Sequence, residues 1–383
     1  MSSDLVHLDT NPTAPNFHND FNFDDGNIIL QAMGSLTIER RKPPKPVCFR
    51  VHKSVLKSQS KTFADMFQLC PVQAEGEESL HDGVPILDVW DDSDNIRKLM
   101  EVLYMSIRVP TAALSNTSAC YFQAVLYMAD KYDMNRVFQA FLPRVVTDWP
   151  LTLSAWDQLR DRILAERRKS ALGGKPFMLV ADRPFIDPAE AICFSRRFYS
   201  HAGSILPSAF YSLSCLSREY DVYEVEGETT MKPSVHRRLA FEQYVRSGGI
   251  YTEWDILSKE DMEAVYVGQA AIRRWLSKCG EYPKDALSMG SCASCAPRRR
   301  SACDKSSWWM GRISGIIRGM ALEEEMDVLE GLRQLANNPA VDHYTVCDTC
   351  FQAIQRHILA QRLALWESLP AFFRVKKPDG WAK

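Results

Sequence analysis

Two pairs of cysteines raise the question of chemistry. Cys292-x-x-Cys295 lies in a stretch dense in Cys, Gly, Ser and Arg, and Cys347-x-x-Cys350 stands at the entry to the last helical pattern. A CxxC turn presents two thiolates to one ion, and two such turns complete the tetrahedron that zinc takes in structural sites. A helix N-terminus also lowers a thiol's pKa, which favours the ligating thiolate at Cys347 and Cys350. The 51 residues between Cys295 and Cys347 exceed the roughly 15 to 20 of compact zinc motifs, so two helices would have to loop out between the knuckles. The competing reading makes these cysteines small buried apolar residues. Both stay open: one structural zinc on Cys292, Cys295, Cys347 and Cys350, with Cys279 and Cys303 as spare ligands, or none. Cys48, Cys70, Cys120, Cys193 and Cys215 sit in apolar patterns and read as core.

Arg298-Arg299-Arg300 is the tight basic run of the cysteine loop. Such a run suits phosphate contacts, but three arginines are more simply a solvated stretch, and Arg40-Arg41-Lys42 reads the same way. His52 has no acid or nucleophile at a recognisable spacing, so it reads as a brace at a strand-to-helix corner. The sequence holds no GxxxxGK[ST], GxGxxG, HExxH or GxSxG string. Phosphate cradles, zincin pairs and nucleophile elbows are therefore not indicated, and the expectation is a binding protein and not an enzyme.

The totals narrow the class. Lys+Arg 46 against Asp+Glu 48 leaves no global basic field, so nucleic acid is not an expected partner beyond a local patch. The first twenty residues lack a basic and an apolar leader region, and no run of 18 uncharged apolar residues occurs. The expectation is an intracellular protein, cytoplasmic or nuclear or both, with no membrane span. In a reducing compartment eleven cysteines are thiols or metal ligands, and their odd number argues against a complete disulfide framework.

The elements that must position these residues follow in order. Residues 1–20 hold Pro12 and Pro15 and read as a flexible tail. From Phe21 and Phe23 an Asp25-Gly26 turn leads into a strand at Ile28 to Leu30, and after the proline-rich loop ERRKPPKP the chain returns as CFRVH. Between Phe49 and Phe67 the apolar period switches from 2 to 3.6, with Leu56, Phe63, Met66 and Phe67 at helical spacing. VPILDVW reads as another strand, Ser93 as an N-cap, and Ile96, Leu99, Met100, Leu103 and Tyr104 as one helical stripe. Two further helices take the chain to about 150, so residues 21–150 form a short strand set wrapped by helices, α+β without βαβ repeats. Residues 151–245 read as helical, with Leu153, Trp156, Leu159, Ile163 and Leu164 opposite a charged side and Asp187-Pro188 opening a helix. Residues 246–375 read as a second helical region, opened by a Ser258 cap and carrying both CxxC pairs.

The motif order resembles a BTB/POZ domain over about residues 20 to 145. The resemblance rests on Phe21/Phe23, Phe49-Arg-Val51-His52-Lys-x-x-Leu56, Ser60-x-x-Phe63-x-x-Met66-Phe67, Leu87-Asp88-Val89, Leu99 to Tyr104 and Ala129-Asp-Lys131-Tyr132-Asp133-Met134. More narrowly it is similar to the large fungal (basidiomycete-type) group of such proteins with a long helical C-terminal region, through Trp308-Trp309, Cys347-x-x-Cys350 and Leu365-Trp366 to Phe373. The resemblance implies an interaction module or adaptor. It would act by self-association, by pairing with other BTB proteins, or by docking a cullin scaffold of ubiquitin ligases while the C-terminal region selects the substrate. The alternative it allows is a transcriptional or chromatin regulator whose cysteine-arginine loop contacts DNA. Asn27 stands where the family has an acid that shapes a charged pocket at the dimer interface. That departure opens the outer face to a different protein as well as to a second copy.

Overall fold

The computed structural model describes residues 15–34, 45–69, 80–104, 119–147, 149–172, 187–216, 252, 254–284, 306, 309–322, 327–337 and 347–382, and leaves out the side chains of 119, 120, 164 and 166–172. The chain divides into two units, Met1–Val145 and Val146–Lys383. Among the described residues no helix is long and apolar enough to cross a membrane.

The first unit is built on five strands, β1 (Phe17–Asn22), β2 (Ile28–Met33), β3 (Val47–Val51), β4 (Leu80–His81) and β5 (Val84–Asp92), in the order β1-β3-β2-β5-β4. β2 runs antiparallel to β3 and parallel to β5, while β1 lies parallel to β3. Phe17 to Asp20 are thus part of the sheet, and the expected tail over 1–20 is corrected for those residues. Their local pattern is not apolar; the strand exists because β3 offers it a partner. Asp25 and Gly26 turn the chain into β2, with Gly26 N donating to Phe23 O at 2.9 Å. A Cβ on Gly26 would fall 2.7 Å from Arg50 Cγ, so only glycine fits against β3 here.

Strand alternation sorts the sheet into two faces. Leu30 pairs with Phe49, and Ala32 with Val89, and these residues are buried against the helices. Those helices are α1 (Lys53–Gln59), α2 (Lys61–Leu69), α3 (Ser93–Tyr104), α4 (Ala119–Lys131) and α5 (Asn135–Thr147). On the other face Ile29, Cys48 and Val84 form a small buried cluster with Phe17 and Ile86 packed on it. α3 buries Ile96, Leu99 and Met100 as its stripe predicts, but Leu103 and Tyr104 are only half-buried and Val102 is buried instead; Asp92 Oδ1 caps the helix by accepting from Asp94 N at 2.8 Å.

The second unit is helical among its described residues: α6 (Leu153–Leu172), α7 (Pro188–Arg197), α8 (Tyr199–Ala202), α9 (Leu206–Ser214), α10 (Lys259–Cys279), α11 (Ser314–Leu322), α12 (Val328–Asn337) and α13 (Asp348–Phe372). A π-turn, Trp309–Ile313, leads into α11. Local signals set two helix starts. Asp187 accepts from Ala189 N at 2.7 Å with Pro188 in the first turn, and Ser258 accepts from Asp261 N at 3.0 Å. The expected boundary at 245/246 does not divide the structure, because α9 packs on α10 and α13, and Arg196 of α7 forks onto Asp261 Oδ1 of α10 at 2.8 and 2.7 Å. The expected end at 375 is also too short. The chain turns at Gly380 (φ 80°) and seats Trp381 on Trp366, ring centroids 4.5 Å apart and 11° from parallel.

Candidate protein-interaction surface

The strand-to-helix corner is held by one histidine and one tyrosine from opposite ends of the unit. His52 closes β3, and its backbone N–H donates to Tyr104 Oη at 2.8 Å while its Nδ1 lies 3.2 Å from the same oxygen. His52 Nε2 sits 3.1 Å from Asp25 Oδ1, and Phe23 stacks on the Tyr104 ring at 5.0 Å. Burial, opposed by the bond from His52, pushes the Tyr104 hydroxyl up from its ordinary value, so it stays a neutral hydroxyl here. Asn27 has a task of its own: from its place just before β2 its Oδ1 accepts from Lys53 N at 2.8 Å and so caps α1.

The turn between α1 and α2 is locked by Ser60. Its Oγ accepts from Phe63 N at 2.9 Å and donates to Tyr132 O at 2.5 Å, while the Phe63 and Tyr132 rings stack at 4.4 Å. Tyr132 Oη donates to Asp91 Oδ2 at 2.5 Å, and Lys131 Nζ meets Asp91 Oδ1 at 2.6 Å. Burial first, and the Asp91 carboxylate beside it, push the Tyr132 hydroxyl well up.

Phe49, Val51, Leu56, Phe63 and Tyr132 are buried, and His52 and Tyr104 are half-buried. Met66 and Phe67 are also only half-buried, which corrects their place as core anchors: α2 covers the core with Phe63 and turns its next positions outward. Asp88 and Lys131 lie at the surface. The outer side of the helix pair is therefore mixed, with Lys53 Nζ and Lys57 Nζ over the Phe67 ring at 5.8 and 5.9 Å. α3 adds a charged strip in which Asp94 meets Lys98 Nζ at 2.6 Å and Arg97 bridges Asp94 and Glu101.

The metal reading is only half placed. Cys292, Cys295 and Cys303 lie outside the described residues, as do Arg40 to Lys42, Arg298 to Arg300 and Cys70. Cys347 is the N-cap residue of α13, and Cys350 is buried one turn on. Cys279, the spare ligand, places its Sγ 3.2 Å from Gln361 Oε1, and burial pushes the thiol up to about 12, away from a ligating thiolate. Among the described residues no three His, Cys, Asp or Glu side chains come together to hold a metal. Cys48 is core as expected; Cys193 and Cys215 are only partly buried.

Asn27, Ser60 and Asp91 were not legible as cap, lock and clamp. Ser60 and Tyr132 stand 72 residues apart, and Asp91 and Tyr132 41 apart, so no local spacing could flag them.

No curated protein and no solved structure matched the chain. Residues 45–143 match the family model of the BTB/POZ domain, from the approach to β3 into α5. The chain thus carries a BTB/POZ domain, a protein-interaction module with a short strand set and helices, followed by a mostly helical region.

Proposed function

We propose that the chain is an adaptor that works by binding, its BTB/POZ domain docking a second protein and its helical unit holding what is to be brought to that protein. The observation that carries this reading is the α1–α2 face, where Lys53 and Lys57 stand over a half-exposed Phe67 on a corner locked by Ser60 and His52. Rigid placement of charge around an aromatic is what a docking surface needs. A cullin-type scaffold, another BTB protein or a second copy are the partners this surface would serve. Asn27, already used as the cap of α1, favours a different protein over a family-style pair. The likeness of the helical region to the fungal group and one structural zinc at Cys292, Cys295, Cys347 and Cys350 belong to the same reading, supported by the Cys347/Cys350 pair at the head of α13.

The test is affinity capture with the full chain beside its Lys53→Glu, Lys57→Glu variant, with light scattering on both. A partner or a dimer that is retained by the first and lost by the second is expected. Equal retention by both moves docking off this face, and neither partner nor dimer ends the adaptor reading. Metal analysis of the same preparation should find about one zinc per chain, absent after Cys347→Ser with Cys350→Ser.

A further inference from the structure

The open face of the first unit's sheet changes character along β5. At one end Phe17, Ile29, Cys48, Val84 and Ile86 cover one another. In the middle Gln31 Nε2 donates to Asp88 Oδ1 at 2.8 Å. At the far end Trp90 is 83% exposed and Met33 47% exposed. Alternation puts Asp88 and Trp90 on this same side of β5; Gln31 of β2 pairs with Asp88, and past a register irregularity after Val89 Met33 pairs with Asp92, two residues beyond Trp90.

Tryptophan is the side chain with most to gain from being covered, and it recurs at the centres of interfaces. The charged side chains nearest to it along β5 are, among the described residues, acidic. Among the described residues Asp88 meets no cation, only the neutral amide of Gln31. Asp92, two residues beyond Trp90, is engaged in capping α3. Asp91 is turned to Lys131 and Tyr132.

We propose that Trp90, Met33 and Asp88 form a docking site for a basic segment of a different protein, one Lys or Arg lying across the indole with its charge met by Asp88. Charge selects this occupant. A two-fold contact between copies would press the same Asp88-bearing patch against itself, with no cation on Asp88 among the described residues to offset it, and like charges in contact oppose association. A cation over the indole gains from the ring's negative face and from the carboxylate together. The site uses none of the residues of the lysine-bearing α1–α2 face. It rests on the interaction reading above and names a second surface with its partner chemistry.

Selection of random 12-residue displayed peptides on the full chain tests it. Peptides enriched in Lys or Arg next to apolar residues are expected. They should bind Trp90→Ala and Asp88→Lys about tenfold more weakly, the size of a desolvated cation–π contact, with thermal stability unchanged because both side chains are exposed. Acidic or purely apolar peptides, or peptides that bind Trp90→Ala as well as the original chain, overturn the site while leaving the adaptor reading standing. A dimer that Trp90→Ala converts to monomer overturns it in favour of a second copy. No selected peptide at all overturns it too, and only when the affinity capture is also empty does the adaptor reading fall with it.

Discussion

The two units spend their charged residues differently. In the BTB/POZ unit the ion pairs lie at the surface: Asp94 with Lys98, Arg97 with Asp94 and Glu101, and Lys131 with Asp91 on the rim. In the helical unit several of them hold the interior, while others, such as Arg333 with Asp161 and Arg374 with Glu263, lie nearer the surface. Arg362 of α13 reaches Leu329 O at 2.7 Å and forks onto Asp157 of α6. Arg160 Nε stands 3.0 Å from Asp327 Oδ2, and Tyr211 donates to Asp327 Oδ1 at 2.9 Å while accepting from Leu329 N at 2.8 Å. Arg333 joins Asp161 to Glu330. These pairs link helices far apart in sequence. A small sheet domain can fix its strands by backbone ladders and leave charge for partners. Helices packed side by side have no such ladder between them, so polar side chains specify which helix meets which.

That contrast can be broken by substitution, and hydrogen exchange read by mass spectrometry localises each effect to its unit. Arg362→Ala leaves Asp157 and the Leu329 carbonyl without their partner, and a loss of about 3 kcal/mol from the helical unit is expected; a loss under about 0.5 kcal/mol would make the interior pairs no different from surface ones. Gly268→Ala comes next. Its Cβ would fall 2.0 Å from the buried Phe373 ring, so denaturant unfolding should show roughly 1–3 kcal/mol lost, and a smaller loss would mean the α10–tail contact has room to give.

Cys279 supplies a pH arm. Burial raises its thiol to about 12 in the folded chain, above its unfolded value near 9. The stabilisation is therefore fully present below about pH 9 and drains as pH rises toward 12, by at most about 1.4 kcal/mol per pH unit. Cys279→Ala should flatten that slope in thermal unfolding between pH 8 and 11, and an unchanged slope would place the titrating group elsewhere.

In the BTB/POZ unit Ser60→Ala removes the cap of α2 and the bond to Tyr132 O, for a loss of about 1 kcal/mol, with exchange quickening at α2 and Tyr132. The smallest effect belongs to the surface. Trp90→Ala should shift stability by less than about 0.5 kcal/mol, and a larger shift would make Trp90 part of the fold and not a free surface.

What could be read locally was read from particular residues. The Asp187-Pro188 and Ser258 helix starts, the first turns of the α3 stripe and the 2-to-3.6 switch after Phe49 depend only on neighbours within a turn, and the structure shows each of them. The charged side of α6 misled. Asp157, Arg160 and Asp161 have the spacing of a solvated face, yet Arg160 is buried and all three meet cations or anions of α12, its approach, or α13. A helical wheel shows which residues share a side, but it cannot show whether water or another helix lies beyond it.

The amino-acid sequence by itself therefore determined most of the elements and the BTB/POZ resemblance, because period, caps and motif order are properties of neighbouring residues. Tertiary structure alone decided that Phe17 to Asp20 join the sheet, that Asn27 caps α1, that Trp381 closes on Trp366, and that Trp90 stays in the open beside Asp88. Each of these depends on a partner supplied, or withheld, by a distant stretch of chain, and burial is a property of the whole packing and of no local pattern.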